Sequence, residues 1–596
     1  MNIDLFYIAM ERHVLQGDEM TNRTHDVDLI VIGSGAAGLS AAVTAAYHGL
    51  SVIVVEKADT LGGATAWSGG WMWAPLNPLA KAAGIHEDAD TVRTYLRHEL
   101  GGRYDAAKID VFLAACPQMV AFFHEKTALQ FADGNAIADI HGDTPGAGTG
   151  GRSVIAAPFD GRALSPSTLK KLRKTMPETA FLGMPIQAGA DLRAFLTVTR
   201  SVKSFWHVSK RFTRHVCDMA RYGRAMQLVN GVALIGRLAK SAEALGVDMW
   251  VSSPARRLVT SGGRVSGVVI ERDDQEITLN ARRGVVLAAG GFPWDISRRK
   301  TLFPRTPTGQ EHWPLPPPSA SGDGLRLGES VGGAVDTSLY SPVAWAPVSL
   351  VPKSNGKVGH FPHIIDRAKP GVIGVLSNGQ RFVNEAAGYY DYVDAMIKAA
   401  PEGEPPCSWL VCTHRFQRRY GLGMTRPAPV PFRHWIKKGY LKRGNSLAAL
   451  ARECGIDPAG LAKTVADYNV HARQGEDPAF GRGTTPYNRK NGDPDHTPNP
   501  CVAPLEHGPF YAIKVVPGCF GTFAGLTTNP QAQVLNPQGV PIEGLYAAGS
   551  DMASIMGGHY PAGGINLGPA MTFGYIAGQH AASPARSLSS NAKPIP

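Results

Sequence analysis

The sequence predicts an α/β fold: a Rossmann-like dinucleotide-binding domain with an α+β domain inserted into it. Three observations lead to this prediction. A complete strand–helix–strand unit with a glycine motif lies near the start, and two further strands that end in glycine turns lie far downstream. The 596 residues also exceed what one ordinary hydrophobic core holds. Because the strands of the binding domain then stand near both ends of the chain, that domain must be discontinuous.

The strand–helix–strand unit occupies residues 28–56. Residues 28–32 are a β-branched run typical of a buried parallel strand, residues 39–48 are Ala-rich and helical, and residues 51–55 predict a second strand. Between the first strand and the helix, residues 33–38 read Gly-Ser-Gly-Ala-Ala-Gly. Strand, motif, helix and second strand therefore follow in the order that dinucleotide binding requires.

Each glycine of this turn has a physical role. Gly33 permits the tight turn, Gly35 lets the backbone approach a pyrophosphate, and Gly38 lets the helix pack close to the sheet. The N-terminus of the helix offers free N–H groups and a partial positive charge to phosphates. Glu56, at the end of the second strand, is placed to accept hydrogen bonds from ribose hydroxyls.

A second glycine-rich stretch at residues 61–70 reads Leu-Gly-Gly-Ala-Thr-Ala-Trp-Ser-Gly-Gly. An enzyme that binds only NAD has no need of it, whereas a flat tricyclic ring needs backbone along its length. Residues 284–292 and 544–551 each join a strand to a glycine turn. The three segments together resemble the FAD-binding segments of the fumarate reductase and 3-ketosteroid dehydrogenase flavoprotein superfamily.

The resemblance implies FAD as the cofactor. Some relatives attach FAD through a histidine in the first loop, and the equivalent Thr65-Ala66-Trp67 has none, so we expect non-covalent FAD. The acid of the last segment, Asp551, is expected near the ribityl chain or the pyrophosphate. The residues expected to contact FAD are Gly33, Gly35, Ala36, Ala37, Gly38, Glu56, Lys57, Gly63, Ala64, Thr65, Ser68, Gly69, Gly70, Ala289, Gly290, Gly549, Ser550, Asn566 and Leu567.

The expected domain boundaries follow from these segments. Residues 25–336 form the first part of the FAD-binding domain, residues 337–519 form the substrate or capping domain, and residues 520–582 complete the FAD-binding domain. The Ser- and Pro-rich residues 583–596 are expected to be a flexible tail.

The loop after the last FAD strand contains His-Tyr-Pro-Ala-Gly-Gly at residues 559–564, and Gly568-Pro569-Ala570 then opens a helix toward the flavin. Fumarate reductases carry an arginine in this loop, and no arginine lies between Ser550 and Gln579. The loop instead resembles that of bacterial 3-ketosteroid dehydrogenases. The resemblance implies that Tyr560 and the N–H of Gly564 hold the substrate ketone.

The implied reaction removes a proton from the carbon beside the ketone and transfers a hydride from the next carbon to flavin N5. Two donors at the ketone oxygen stabilise the developing enolate as an oxyanion hole does. The resemblance implies Tyr389 as the base, with Tyr390 and Tyr392 close by in the sequence. A tyrosine pKa near the usual ~10 suits a base poorly, so neighbours must lower it or a proton relay must assist.

One segment departs from the family. The steroid 1-dehydrogenases carry a further tyrosine where this sequence has Ile140-His141. Histidine titrates in the right range to replace it in proton relay, so His141 is a candidate catalytic residue. The other interpretations are that His141 is structural, that the enzyme dehydrogenates at the 4,5 position, or that the substrate is not a steroid.

Several functions therefore stay open. We favour 1,2-dehydrogenation of a 3-ketosteroid over 4-dehydrogenation. The alternatives are an FAD-dependent enoate or fumarate-type reductase and a non-catalytic, membrane-associated flavoprotein. The sequence does not identify the electron acceptor.

The composition limits the partners. A net charge of +11 suits a dinucleotide, an acidic membrane surface or nucleic acid, and no recognition motif supports nucleic acid. Seven scattered cysteines predict neither a disulfide framework nor a metal site, and we expect a cytoplasmic protein. Residues 193–240 mix basic and apolar residues. They form either an amphipathic helix on the inner face of the membrane or a solvated helix whose apolar stripe packs on the FAD domain.

Overall fold

The structure is a computed structural model that describes residues 24–187 and 189–583. The expected flexible tail lies outside these residues, apart from Ser583. The chain forms two large sheets with helices around them.

The first sheet combines strands from both ends of the chain. Its path runs through Gln533–Leu535, Pro541–Ala547, Gln275–Leu287, Thr24–Ile32, Val52–Val55 and Asp248–Trp250, and Arg264–Arg272 and Ala255–Ser261 extend it from Gln275–Leu287. The central pairs are parallel, with Ile32 beside Leu287 on one side and Val55 on the other. Residues 29–32 and 52–55 are buried, as their apolar runs predicted.

Two helices cover one side of this sheet. The motif helix, Ala36–Tyr47, packs along the final helix, Leu567–Ala582. A Cβ added at Gly574 would lie 2.4 Å from the Ala37 carbonyl oxygen, and one at Gly578 would lie 2.6 Å from that of Ala41. The small residues therefore let the two helical backbones touch.

The second sheet lies in the middle of the chain. Its strands are Val358–Pro362, Val343–Pro352, Phe510–Thr522, Ser408–Thr413 and Val372–Val375, with Trp313–Pro314 and Lys442–Gly444 added to Phe510–Thr522. All pairs are antiparallel except that of Trp313–Pro314. The helices of this part are Tyr389–Ala399, His414–Arg419, Arg433–Lys437, Leu447–Cys454, Pro458–Ala472 and Pro486–Asn491. The architecture is thus the expected α/β fold with an α+β insertion.

The remaining elements are three small sheets and nine further α-helices among the described residues. Small sheets join Trp71–Trp73, Phe131–Asp133 and Ser153–Ala156; Phe159–Asp160 and Gln227–Leu228; and Val335–Asp336 and Gly525–Leu526. The other α-helices are Pro78–Ala82, Ala89–Leu100, Ala106–Lys126, Pro166–Lys171, Ala190–Leu196, Val202–Tyr222, Asn230–Ala244, Ile296–Leu302 and Asp323–Ser330.

Two helices bear on membrane contact. In the described residues, Ala106–Lys126 alone has the length and composition to cross a membrane, and one of its faces is buried, as in a core helix. Val202–Tyr222, the basic helix, behaves differently. The interpretation that its apolar stripe packs on the FAD domain is wrong, because Val202 is 76% exposed and Trp206 is 68% exposed.

Candidate active site

The glycine motif brings three backbone segments to one point. Gly33 has φ +109°, and a Cβ there would lie 2.1 Å from the carbonyl oxygen of Ala288. A Cβ at Gly38 would lie 2.0 Å from the carbonyl oxygen of Gly33. Only glycine lets the first strand, the motif helix and the turn after Leu287 approach this closely.

Other glycines border open space. Added Cβ atoms at Gly35, Gly63 and Gly290 would meet no atom closer than 3.6 Å, 3.9 Å and 3.6 Å. A Cβ at Gly563 would meet nothing within 4 Å. These backbones leave room for a flat ligand, so the residues present fit the FAD that the sequence predicts.

A cavity continues this space at the start of the final helix. About 360 Å³ here is free of protein atoms, part of it open to solvent, and the lining includes Gly549, Ser550 and Asn566, which were expected at FAD. Pro569 and Ala570 from the first turn of the final helix also line it. Leu567 begins that helix.

The second glycine stretch is fastened to the motif helix. The hydroxyl of Thr65 accepts a hydrogen bond from the N–H of Ala36 at 3.1 Å. The hydroxyl of Ser68 donates to the carbonyl of Thr65 and accepts from the N–H of Gly70 at 3.0 Å. The segment that holds Ala64 and Gly69 is therefore fixed beside Gly35 and Ala37, where the flavin was expected.

The two charged residues expected at FAD have protein partners. The carboxylate of Glu56 is 6% exposed and accepts from the N–H and hydroxyl of Ser34 and from the N–H of Ala58. Lys57 donates to Asp323 at 2.8 Å, at the start of the helix Asp323–Ser330. Lys57 thus ties the motif unit to that helix.

Asp551 orders the turn that follows Leu287. Its carboxylate is fully buried and accepts from the N–H groups of Ala289 and Gly291. Burial raises the pKa of Asp551 to about 6, against the effect of these two hydrogen bonds. The sequence predicted this acid at the ribityl chain or the pyrophosphate and gave no sign that it holds the backbone of Ala289 and Gly291.

Tyr389 and Tyr560 meet although 171 residues separate them. The Tyr389 hydroxyl donates to the Tyr560 oxygen at 3.0 Å, and the ring centroids are 5.0 Å apart. The side-chain N–H of Asn566 also donates to the Tyr560 oxygen at 3.3 Å. Because the Tyr560 oxygen accepts two hydrogen bonds, its own proton is left to donate to another acceptor.

Both phenols stay protonated at neutral pH. Burial raises the pKa of Tyr560 well above its ordinary value, and burial together with Tyr560 does the same for Tyr389. The expectation that neighbours lower the pKa of Tyr389 is wrong for this arrangement. Of the two routes considered for the base, the proton relay is the one that the geometry favours.

Gly564 offers a second donor near Tyr560. It has φ +96°, and a Cβ there would lie 2.7 Å from the carbonyl oxygen of Trp71. Its carbonyl accepts from the N–H of Trp73 at 3.1 Å. Within residues 24–187 and 189–583, its own N–H has no hydrogen-bond acceptor.

The structure separates Tyr389 from the neighbouring tyrosines. Tyr390 donates to the carbonyl of Gly558 at 3.0 Å, and the hydroxyl of Tyr392 pairs with Ser408 at 2.9 Å. Neither hydroxyl is bonded to Tyr560. Tyr389 is therefore the one of the three whose hydroxyl donates to the Tyr560 oxygen.

Aromatic rings surround this pair. Phe520 lies 5.1 Å from the Tyr389 ring, and Phe523 lies 6.0 Å from the Tyr560 ring. Tyr390 stacks on Tyr560 at 5.9 Å. The surroundings of the two hydroxyls are apolar, which suits a hydrocarbon ring and strengthens polar contacts made within them.

His141 lies between two carboxylates. Its ring nitrogens lie 2.6 Å from a Glu99 oxygen and 3.1 Å from an Asp391 oxygen. Burial lowers the pKa of His141, but the two carboxylates outweigh it and raise the pKa to about 10. Both nitrogens are therefore protonated and engaged.

Ile140 is the residue of this segment that reaches the site. It is 3% exposed, and its N–H donates to the carbonyl of Pro561 at 2.9 Å. Its side chain lies against Gly388, where an added Cβ would be 2.9 Å away. Ile140 thus packs between the Tyr560 loop and the start of the Tyr389 helix. The one sign of this in the sequence is that Ile140-His141 stands where the family has a further tyrosine.

The fold and the glycine-lined space define an FAD-dependent oxidoreductase. Residues 28–567 match the FAD binding domain family. The chain belongs to that family and, within it, to the relatives of the FAD-dependent 3-ketosteroid dehydrogenases.

Two curated relatives match nearly the whole chain. A 4-oxocyclohex-2-ene-1-carboxylate 5-dehydrogenase of Sinomonas cyclohexanicum is 40% identical, over 94% of each chain. A 3-oxosteroid 1-dehydrogenase of Mycobacterium tuberculosis is 34% identical, over 94% of this chain and 99% of its own.

A solved structure matches the fold. The 3-ketosteroid Δ1-dehydrogenase of Sterolibacterium denitrificans, in complex with 1,4-androstadiene-3,17-dione, is 33% identical, with a TM-score of 0.86 over 94% of this chain and 99% of its own. The comparisons confirm the predicted fold class, the FAD cofactor and the oxidoreductase class. The domain boundaries, the non-covalent attachment and the roles of single residues stay predictions.

Proposed function

We propose that this protein removes a proton and a hydride from adjacent carbons beside the ketone of a 3-ketosteroid, with 1,2-dehydrogenation favoured. One observation carries the proposal: Tyr560 accepts two hydrogen bonds and so has its own proton to give. Gly564, four residues later, has a free N–H among the described residues. Two such donors suit a ketone oxygen.

The residues act on the proton beside the ketone. Donation from Tyr560 and Gly564 stabilises negative charge on the oxygen as that proton leaves. Tyr389 takes the proton from carbon while it passes its own to Tyr560, and Tyr560 passes its proton to the ketone oxygen. This relay yields the enol without a phenolate, which burial disfavours. When the hydride leaves, the enol oxygen gives up its proton to water and the ketone forms again, so the net loss is one proton and one hydride. FAD, when bound, supplies the hydride acceptor.

The apolar surroundings support a hydrocarbon ring as substrate. Aromatic rings of Phe520, Phe523 and Tyr390 lie around the two hydroxyls. Residues 551–578 contain neither lysine nor arginine, which counts against a carboxylate at this loop. The names of the relatives as 3-oxosteroid dehydrogenases point the same way.

A second candidate substrate is a 4-oxocyclohexane or 4-oxocyclohexene carboxylate. It is favoured by the relative at 40% identity, whose name gives such a substrate. Its ketone suits the same two donors, and its carboxylate must then bind away from the final loop. A third candidate reaction is 4-dehydrogenation of a steroid, because Ile140 stands where the steroid 1-dehydrogenases have a tyrosine.

Anaerobic reduction of the bound FAD distinguishes these substrates. The yellow protein is mixed with 3-ketosteroids that are saturated or unsaturated at carbons 1 and 4, and separately with 4-oxocyclohexanecarboxylate. Bleaching at 450 nm (roughly the flavin maximum) is followed, and the new double bond is located by mass spectrometry and NMR. We expect fast bleaching by a 3-ketosteroid with a new 1,2 double bond. Bleaching by the small acid alone would replace the steroid, and bleaching by no cyclic ketone would refute the proposal.

A further inference from the structure

The basic helix, Val202–Tyr222, turns apolar side chains toward solvent. Phe205 and Val216 are 52% and 50% exposed, and Trp206 is 68% exposed. Of the sixteen large hydrophobic residues that are exposed in the described chain, eight lie between residues 182 and 222. Single exposed apolar residues are ordinary, but such a concentration marks an interaction surface.

The polar side of the same helix faces the protein. His207 and Arg211 contact the carboxylate of Asp191 at 2.6 Å and 2.9 Å. Asp218 is 3% exposed and pairs with Arg162. The usual arrangement of a surface helix, with its apolar side inward, is therefore reversed.

A row of cations flanks the exposed apolar stripe. Lys203, Lys210, Arg214 and Arg221 are exposed, and spacings of 7, 4 and 7 residues place them along one line of the helix. Asp218 is the only acidic residue of the helix sequence, and it is buried. Asp160, outside the helix, pairs with Arg214 at 3.2 Å. The outward surface thus combines apolar side chains with the positive charge of the other three cations and has no carboxylate from the helix itself.

We propose that the basic helix lies in the interface of an anionic lipid bilayer. Its apolar stripe enters the boundary of the acyl chains, with Trp206 at the level of the headgroups, and its cation row meets the lipid phosphates. Charge decides against a second copy of this chain, because two such helices would bring like charges together. An acidic lipid surface supplies the opposite charge and the apolar phase at once.

The position of the helix links this surface to the proposed substrate. Arg173, before the helix, lies over the ring of Trp67 in the second glycine stretch at 5.3 Å. Glu178 and Arg193, from the same segment as the helix, pair with two residues of the inserted part. Glu178 pairs with Lys353 at 2.7 Å, and Arg193 pairs with Asp495 at 3.2 Å. The segment that carries the helix therefore contacts both parts of the molecule. Collection of a steroid from the bilayer rests on the proposed function, whereas lipid binding does not.

Vesicle binding tests the proposal on the FAD-loaded protein. The protein is sedimented with vesicles of phosphatidylcholine alone and of phosphatidylcholine with phosphatidylglycerol. Cys217, on the same helix, is the one exposed cysteine of the described chain and takes an environment-sensitive fluorophore. We expect sedimentation and a blue shift with the anionic vesicles only. Equal binding to both vesicles, or binding to neither, would overturn the proposal.

Paired variants locate the contact. Phe205→Ser with Trp206→Ser removes apolar contact, and Lys203→Gln with Lys210→Gln removes charge. Each pair should weaken binding to anionic vesicles at least about tenfold. Val470→Ser is the matched control, because Val470 is 56% exposed on another helix, and it should bind as wild type does.

Two further readouts make every outcome decisive. FAD content shows that each variant is folded, and light scattering gives its oligomeric state. Unchanged vesicle binding by both pairs, or a dimer that only the Phe205 and Trp206 pair dissolves, would contradict a lipid contact. Loss of turnover with any ketone, at normal vesicle binding, would refute the proposed function and leave this inference standing.

Discussion

At the scale of single residues, the hydrogen bond between Tyr389 and Tyr560 decides how the proton moves. Tyr389→Phe keeps the ring and removes the proton acceptor, so we expect FAD reduction by the ketone to slow by about 10²–10⁴. Rapid mixing under anaerobic conditions measures this rate. Tyr392→Phe is the control, because Tyr392 lies on the same helix and its hydroxyl pairs with Ser408 in the second sheet. A similar loss of rate there would contradict the relay.

His141 predicts a pH dependence of stability. Its pKa is raised from 6.5 to about 10 between Glu99 and Asp391. A raised folded-state pKa contributes stability below pH 6.5, and this contribution is lost as the pH rises through about 10. His141→Gln should therefore lower the melting temperature most at pH 6, and the difference from wild type should shrink by pH 10.5.

The control for this prediction is His98→Gln, because His98 contacts the carbonyl of Thr94. Its difference from wild type should be small at both pH values. A difference for His141→Gln that is constant from pH 6 to pH 10.5 would show that the imidazolium pair is absent.

At the scale of elements, the glycine turn at residues 33–38 gives a prediction about both stability and FAD binding. Gly33→Ala adds a Cβ that would lie 2.1 Å from a backbone oxygen, at φ +109°. We expect a loss of about 3 kcal/mol or more in the free energy of unfolding, and loss of FAD on gel filtration.

Gly49→Ala is a matched control for that prediction. Gly49 also has a positive φ, +89°, but a Cβ there meets nothing within 4 Å. The variant should lose only ~1 kcal/mol and retain FAD. Equal effects of the two substitutions would mean that the backbone approach at Gly33 does not matter.

Sequence patterns predict the local secondary structure of this protein but not its long-range contacts. The strand–helix–strand unit follows local rules of period and turn, so its order was predictable from residues 28–56. The partners of Lys57 and Asp551 lie 260 or more residues away in sequence, and such contacts leave no local pattern.

The basic helix shows the same limit in another form. Its composition predicted an amphipathic helix, and periodicity gave the stripe. The side of the helix that faces the protein is set by ion pairs with Asp191 and Arg162, and these pairs form only when the chain has folded. The roles of Tyr389 and Tyr560 came from resemblance, whereas their hydrogen bond and the raised pKa of each phenol follow from the fold and its burial.

At the scale of the whole molecule, a buried charge network braces the inserted part. Glu385 is fully buried and accepts from Arg381 at 2.7 Å and Arg482 at 3.0 Å. Burial raises the pKa of Glu385, but the two guanidinium groups outweigh it and lower the pKa to about 2. Glu385→Gln should cost about 3–5 kcal/mol in the free energy of unfolding at pH 7, because the buried Arg482 loses its counter-charge and Arg381 keeps only that of Asp477.

The same network sets an acid limit. A lowered folded-state pKa contributes stability above pH 4.5, and this contribution is lost as the pH falls toward about 2. Urea unfolding should show the gap between wild type and Glu385→Gln narrowing from pH 7 to pH 3. Glu453→Gln, whose carboxylate is 55% exposed, should stay within ~0.5 kcal/mol of wild type, and an equal effect there would contradict the account.

The most direct test of the ketone-binding site is anaerobic FAD reduction in Tyr560→Phe. The substitution keeps the buried ring and removes the hydroxyl that accepts from Tyr389 and Asn566. The account predicts that the variant keeps a full complement of FAD while its reduction by the ketone slows by about 10²–10³. Reduction at the wild-type rate, with FAD fully bound, would contradict it.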